Sequence, residues 1–103
     1  MDRIHHIAVQ VSDIAQAVRW YVRLFNCQVH YQDDTWAQID FANLSVALVT
    51  QEQHPPHIGI ARADAERFGP LKTHRDGSAS IYINDPDGNA VEILATASLT
   101  ESP

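Results

Sequence analysis

Residues 80–92 read SIYINDPDGNAVE, which combines a strand, a turn and the start of a second strand. On both sides of the turn, β-branched residues alternate with other side chains, the period-2 pattern of a half-buried strand. Within the turn, Pro86 fixes φ and Gly88 tolerates a positive φ, so the chain can reverse sharply there. The stretch therefore predicts a β-hairpin in which Glu92 lies on the face opposite the β-branched residues.

Two earlier stretches carry a histidine with the same parity. They are residues 4–11, IHHIAVQV, and residues 57–61, HIGIA. The opposite faces are apolar and are expected to face the core: Ile7, Val9 and Val11 in the first, Ile58 and Ile60 in the second. His6, His57 and Glu92 thus share one strand parity. Two imidazoles and one carboxylate on one side of a divalent ion leave open positions for water, oxygen or a bidentate substrate, so they predict an open metal site.

The chain repeats itself. An offset of 57 − 6 = 51 residues aligns HIAV at 6–9 with HIGI at 57–60. Each copy reads as a strand, a helix opened by an acidic residue and further strands, which is a βαβββ unit written twice. Matching Val46 with Val91 gives an offset of only 91 − 46 = 45, so the second module has lost about six residues. We therefore expect a stunted strand before Ser80.

Turn signals and apolar spacing predict the remaining elements. They are a helix over 13–25 capped by Ser12, antiparallel strands over 29–31, 36–41 and 44–49, a short helix over 64–71 interrupted by Gly69-Pro70, and an exposed loop over 74–78. Within the strand over 36–41, Trp36, Gln38 and Asp40 are expected on one face and Ala37, Ile39 and Phe41 on the other. Module 1 spans about 3–50 and module 2 about 56–95, in one domain covering 1–103, and residues 96–103 read as a tail.

Composition restricts the partners. The chain has 103 residues and a formal charge of −6, from 7 basic and 13 acidic residues without a basic cluster, which argues against nucleic acid. A lone cysteine, Cys27, cannot form an internal disulfide, and no signal peptide or membrane-spanning run is present. We expect a cytoplasmic homodimer that binds a small molecule, with no membrane partner, because dimerisation would help cover so small a core.

These motifs resemble the vicinal oxygen chelate superfamily, which is the glyoxalase, bleomycin-resistance and extradiol-dioxygenase group. The resemblance spans about residues 3–95 and rests on HIAVQV at 6–11 followed by Asp13, Trp20-Tyr21, PHIGI at 56–60 and the 80–92 stretch. It implies an α+β fold in which paired βαβββ modules form a curved mixed sheet, a cup, with helices on its convex side. It also implies a divalent metal, Fe, Mn, Ni or Zn, held by His6, His57 and Glu92 on the concave face.

The resemblance leaves the reaction open. Ala47 is the repeat partner of Glu92, so the fourth protein ligand of glyoxalase I and methylmalonyl-CoA epimerase is absent. The three-ligand set is closer to extradiol dioxygenases and fosfomycin-resistance thiol transferases. Isomerisation, lyase chemistry, ring cleavage and thiol transfer all remain open, and a metal-free drug- or metabolite-binding protein of the bleomycin-resistance type is the alternative.

Strand parity also predicts which side chains lie around the metal. Tyr82 shares a strand face with Ser80 and Asn84 and precedes the turn to Glu92, so we predict a catalytic role for Tyr82 as a donor beside that ligand. Further side chains are predicted to bind the substrate: Gln10, Trp36, Gln38, His74 and Arg75.

Overall fold

The computed structural model describes residues 1–99, so the end of the predicted tail, residues 100–103, lies outside the described part. The described residues contain eight β-strands, in parallel and antiparallel pairings, and one α-helix, which confirms the α+β class. The elements are β1 Arg3–Gln10, α1 Ile14–Leu24, β2 Gln28–Gln32, β3 Trp36–Asp40, β4 Ser45–Val49, β5 His57–Arg62, β6 Lys72–Thr73, β7 Ala79–Asn84 and β8 Ala90–Ala95. They belong to two compact units: His6–His57, and residues 1–5 together with residues 58–99.

In the His6–His57 unit the strand order is β2-β3-β4-β1. The β2-β3-β4 meander is antiparallel, as predicted, whereas β1 and β4 run parallel, with His6 beside Ser45 and Ala8 beside Ala47. In β3 the predicted alternation is confirmed, because Ala37 and Ile39 are fully buried and their neighbours are half-buried. This register determines which side chains share the polar face of the unit.

Helix α1 covers the apolar face of this unit. Its core cluster consists of Ile14, Val18, Ala37, Ile39 and Leu48, and burying one large aliphatic side chain contributes about 1.5–3 kcal/mol. The predicted cap Ser12 is wrong by one residue, since the Asp13 carboxylate accepts from the Gln16 amide at 3.0 Å. Of the predicted core face of β1, Val9 and Val11 pack against the cluster. Ile7 does not, being 40% exposed.

In the other unit the strand order is β5-β8-β7-β6. Strands β7 and β8 form the predicted antiparallel hairpin, with Tyr82 directly opposite Glu92. The Asp85 carboxylate closes the turn by accepting from the amides of Asp87 and Asn89 at 3.0 and 2.8 Å, and Gly88 takes φ +86°. The turn thus sets the register that places Glu92 across from Tyr82.

The short helix predicted over 64–71 is a 3₁₀ turn at Ala65–Phe68 that ends at the predicted interruption, because Gly69 takes φ +137° and Pro70 cannot continue a helix. The predicted core face of β5 is wrong, since Ile58 is 43% exposed and Ile60 is half-buried, whereas His57 and Gly59 are buried. The stunted strand expected before Ser80 is confirmed as the two-residue β6.

The start of the predicted tail forms a short helical turn rather than an irregular segment. Thr96–Ser98 is a 3₁₀ turn, and the Ser98 hydroxyl accepts from the Ala79 amide at 2.9 Å and donates to the Ala95 carbonyl at 2.7 Å. Within residues 1–99, no helix is both long and apolar enough to cross a membrane.

Candidate metal site

Two buried imidazoles face each other within the His6–His57 unit. His6 on β1 is 8% exposed and His57 at the start of β5 is 6% exposed. Their Nε2 atoms lie 3.0 Å apart, and the ring planes are nearly perpendicular at 84°. The predicted convergence of the two histidines is therefore present in the structure.

The linker before β5 sets the tautomer of His57. Its Nδ1 lies 2.7 Å from the carbonyl oxygen of Pro55. A carbonyl oxygen only accepts, so Nδ1 carries the proton and Nε2 carries the lone pair that coordinates metals. The Pro55-Pro56 pair, which restricts the chain to an extended path, thus also orients the imidazole.

The 3.0 Å separation suits metal coordination. One divalent ion can accept two nitrogens at about this separation, because metal–nitrogen bonds are about 2.1 Å long. The same 3.0 Å is also a hydrogen-bonding distance between the two imidazoles.

Glu92 lies in the other unit, on β8, and is 5% exposed. The Ser80 hydroxyl on β7 donates to Glu92 Oε2 at 2.7 Å. Because Ser80 pairs with Leu94 in the hairpin, Ser80 and Glu92 are diagonal neighbours on one face of the sheet. His74 Nε2 lies 2.6 Å from Ser80 Oγ and 3.4 Å from Glu92 Oε2. The carboxylate is therefore held by its own hairpin and by the loop before it.

Tyr82 touches the same carboxylate. Burial, followed by the charge of Glu92 and the hydrogen bond to it, raises the pKa of Tyr82 well above its ordinary value. The phenol therefore remains protonated and acts as a donor rather than a base. Its predicted location beside the acidic ligand agrees with the cross-strand pairing, while its catalytic role remains a prediction.

The donor chemistry of these residues suits a divalent ion. His6, His57 and Glu92 are buried, each offers one ligand atom, and together they are a group that could hold a metal. Imidazole nitrogens and a carboxylate oxygen are ligands that first-row divalent metals accept. Glutamate and histidine side chains are rarely buried unless they bind a metal or have a hydrogen-bonding partner.

The predicted substrate-binding residues have different surroundings. Gln10 is exposed and donates to the His54 carbonyl at 3.3 Å, and half-buried Trp36 stacks on Tyr31 with ring centroids 4.5 Å apart. Arg75 is exposed on the loop. His74 was expected in an exposed loop, but it is half-buried against Ser80 and Glu92. None of these contacts tests substrate binding.

A polar network that the sequence did not predict lies on the same face as Gln38. The Asp40 carboxylate accepts from Ser45 at 2.7 Å and from Gln38 at 3.2 Å, and lies 3.2 Å from the exposed His30. Burial raises the pKa of Asp40, but these hydrogen bonds and the His30 charge outweigh it and lower the pKa overall. Parity placed Gln38 and Asp40 on one face, and only the strand register shows that Ser45 faces Asp40.

Comparisons with known proteins agree with the architecture. The family model described as Glyoxalase/Bleomycin resistance protein/Dioxygenase superfamily matches residues 3–65. Curated proteins give no match to the chain. A hypothetical protein from Bacillus halodurans C-125 superposes with TM-score 0.78 at 15% identity, covering 98% of this chain and 99% of its own.

Two further solved structures are similar. A glyoxalase/bleomycin resistance protein/dioxygenase superfamily member from Vibrio splendidus 12B01 has TM-score 0.69 at 14% identity, covering 91% of this chain and 98% of its own. Methylmalonyl-CoA epimerase from Mycobacterium tuberculosis has TM-score 0.73 at 12% identity, covering 89% of this chain and 86% of its own. At these identities the likeness concerns the fold.

Proposed function

The chain belongs to the Glyoxalase/Bleomycin resistance protein/Dioxygenase superfamily, and from this premise we propose that it is a small metal-dependent enzyme. In this proposal His6, His57 and Glu92 hold one divalent ion, and a small substrate binds through two neighbouring oxygens. The observation that carries the proposal is the 3.0 Å contact between two buried Nε2 atoms. Two buried imidazoles facing each other at the spacing of adjacent metal ligands suit coordination.

The bound ion would supply Lewis-acid chemistry, stabilising negative charge that develops on a substrate oxygen. The protein residues hold the ligands in place. The Pro55 carbonyl keeps a proton on His57 Nδ1, so Nε2 remains the coordinating atom. The Ser80 hydroxyl and the Tyr82 phenol donate to Glu92, which keeps this carboxylate oriented.

Three protein ligands leave positions for the substrate. Ala47, the repeat partner of Glu92, has no ligand atom, so this chain departs from a four-ligand site. That difference argues against a glyoxalase I or epimerase reaction and leaves ring cleavage, lyase chemistry, other isomerisations and thiol transfer as reaction classes. The ion itself is iron, manganese, nickel or zinc in this proposal, all of which accept imidazole and carboxylate ligands.

A two-stage binding experiment tests the proposal. Protein purified without chelators is analysed for metal, and metal-free protein is titrated with Mn²⁺, Fe²⁺, Ni²⁺ and Zn²⁺. Loaded and metal-free samples are then titrated with acetohydroxamate, which binds metals through two neighbouring oxygens. We expect one ion per chain and acetohydroxamate binding only to the loaded form.

The matched variant is Glu92→Gln, which retains the size of the ligand and removes its charge. This variant is expected to lose most of its metal affinity and, with it, acetohydroxamate binding. A wild-type protein that ignores all four ions would refute the proposal and favour a metal-free binding protein. Loaded protein that does not take up acetohydroxamate would refute the chelation step alone.

A further inference from the structure

The loop between β6 and β7 bends back over the hairpin that carries Glu92. The His74 amide donates to the Ser78 carbonyl at 2.7 Å, and the Gly77 amide donates to the His74 carbonyl at 3.0 Å. The Asp76 carboxylate accepts from the amide and hydroxyl of Ser78 at 2.9 and 2.7 Å. These short hydrogen bonds close the loop, and Gly77 at φ +90° permits the reversal. The His74 ring is consequently held against β7.

The hydrogen-bond directions in the resulting chain follow from the groups themselves. An ionised Glu92 has only acceptors, so the single Ser80 proton is donated to Oε2. Ser80 Oγ must then accept from His74 Nε2, 2.6 Å away, which requires the proton of His74 to be on Nε2. Ser80 is 1% exposed, so water does not compete for its hydroxyl.

We infer that Ser80 and His74 are positioning residues that hold the Glu92 carboxylate in the orientation in which it binds the ion. His74 Nε2–H donates to Ser80, and Ser80 donates to Glu92 Oε2. The inference rests on the proposed function, because it assigns these two residues a role at the same metal site. A carboxylate held in one orientation does not have to be reoriented when the ion binds.

Metal affinity of three variants tests this inference. Ser80→Ala removes the donor to Oε2, and we expect about a 10–100-fold loss of affinity, the usual effect of removing a partner that orients a ligand. His74→Ala should lower affinity in the same direction. His74→Gln retains an N–H at the position of Nε2 and should restore affinity to within about threefold of wild type. If His74 only supported the fold, the side-chain amide of His74→Gln would not restore metal affinity.

The matched control is Ser98→Ala. Ser98 also makes two hydrogen bonds beside β7 and β8, through the Ala79 amide and the Ala95 carbonyl, and neither involves Glu92. Melting temperatures of the metal-free proteins report any general loss of stability. We expect Ser98→Ala to lose stability and retain wild-type metal affinity, whereas Ser80→Ala loses affinity.

The visible spectrum of Co²⁺-loaded protein provides a second measurement. Without the Ser80 donor the Glu92 carboxylate should adopt a different orientation toward the ion in Ser80→Ala, and the d–d bands should change in position and intensity. Wild-type affinity together with a wild-type spectrum in Ser80→Ala would overturn the inference, as would equal affinities of His74→Gln and His74→Ala. If wild type binds metal and Glu92→Gln does not, those results count only against the positioning role. If wild type binds no metal, the proposed function and this inference both fail.

Discussion

The Nε2 atoms of His6 and His57 lie 3.0 Å apart although the residues are 51 positions apart in the chain. The contact joins the equivalent histidines of the two repeated modules. Replacing either imidazole by alanine should cost most of the metal affinity, because each variant lacks one of the three proposed ligands. Calorimetric titration of His6→Ala and His57→Ala checks this. His30→Ala is the control, since His30 is exposed and pairs with Asp40; equal affinity losses in all three variants would contradict the assignment.

Metal affinity should fall in acid. Imidazole nitrogens coordinate only when deprotonated, so protons compete with the ion and the apparent affinity decreases as pH falls. Titrations at several values between about pH 8 and about pH 5 measure this decrease. A constant affinity over that range would exclude histidine ligation.

Ala47→Glu should add a fourth protein ligand if residue 47 faces the ion as the repeat implies. Ala47 is 6% exposed, between Ala8 on β1 and Gln38 on β3. The metal-free variant should be less stable, because an unpaired carboxylate is buried, and the ion should bind more tightly than in wild type. Acetohydroxamate binding should weaken, since an open coordination position becomes occupied.

Ala47→Gln is the comparison, because it has nearly the same size and no charge. Metal affinity and melting temperature are measured for both variants. A glutamate variant that loses both stability and metal affinity would show that Ala47 only fills a close contact between strands.

Asp85→Ala should destabilise the hairpin at neutral pH. The Asn89 side chain, followed by the Asn89 amide, lowers the pKa of Asp85 through hydrogen bonds to its carboxylate. A lowered folded pKa means that the stabilisation is present above the unfolded value of about 3.9 and is lost as pH falls through the folded value. The difference in melting temperature between wild type and variant should therefore shrink in acid. Asp87→Ala, in the same turn, should show a smaller effect, and a pH-independent difference would contradict this account.

The chain is expected to form a homodimer. Ile58 on β5 is 43% exposed, and Phe68 in the 3₁₀ turn is 38% exposed. Large apolar side chains left exposed favour association with a second copy. Sedimentation velocity at micromolar concentration measures the assembly. A stable monomer with full metal affinity would show that a single chain suffices.

The sequence alone predicted the structural features that depend on a single strand or a single turn. Period-2 alternation predicted the buried face of β3, with Ala37 and Ile39 at 0% exposure. It also predicted the side of β8 that carries Glu92, because adjacent side chains of a strand must point to opposite faces. The proline and glycine of residues 85–88 predicted the hairpin, because backbone dihedrals restrict such a turn directly.

Residues far apart in sequence required the tertiary structure. Parity placed Ser80 on the face of Glu92, but their diagonal contact depends on the register of β7 and β8. His74 was predicted to be exposed, since loop residues lack periodicity, and hydrogen bonds within the loop turned its ring toward Ser80. Sequence parity determines which side of a strand a residue occupies, whereas hydrogen-bond partners depend on how strands and loops pack, and no local pattern encodes that packing.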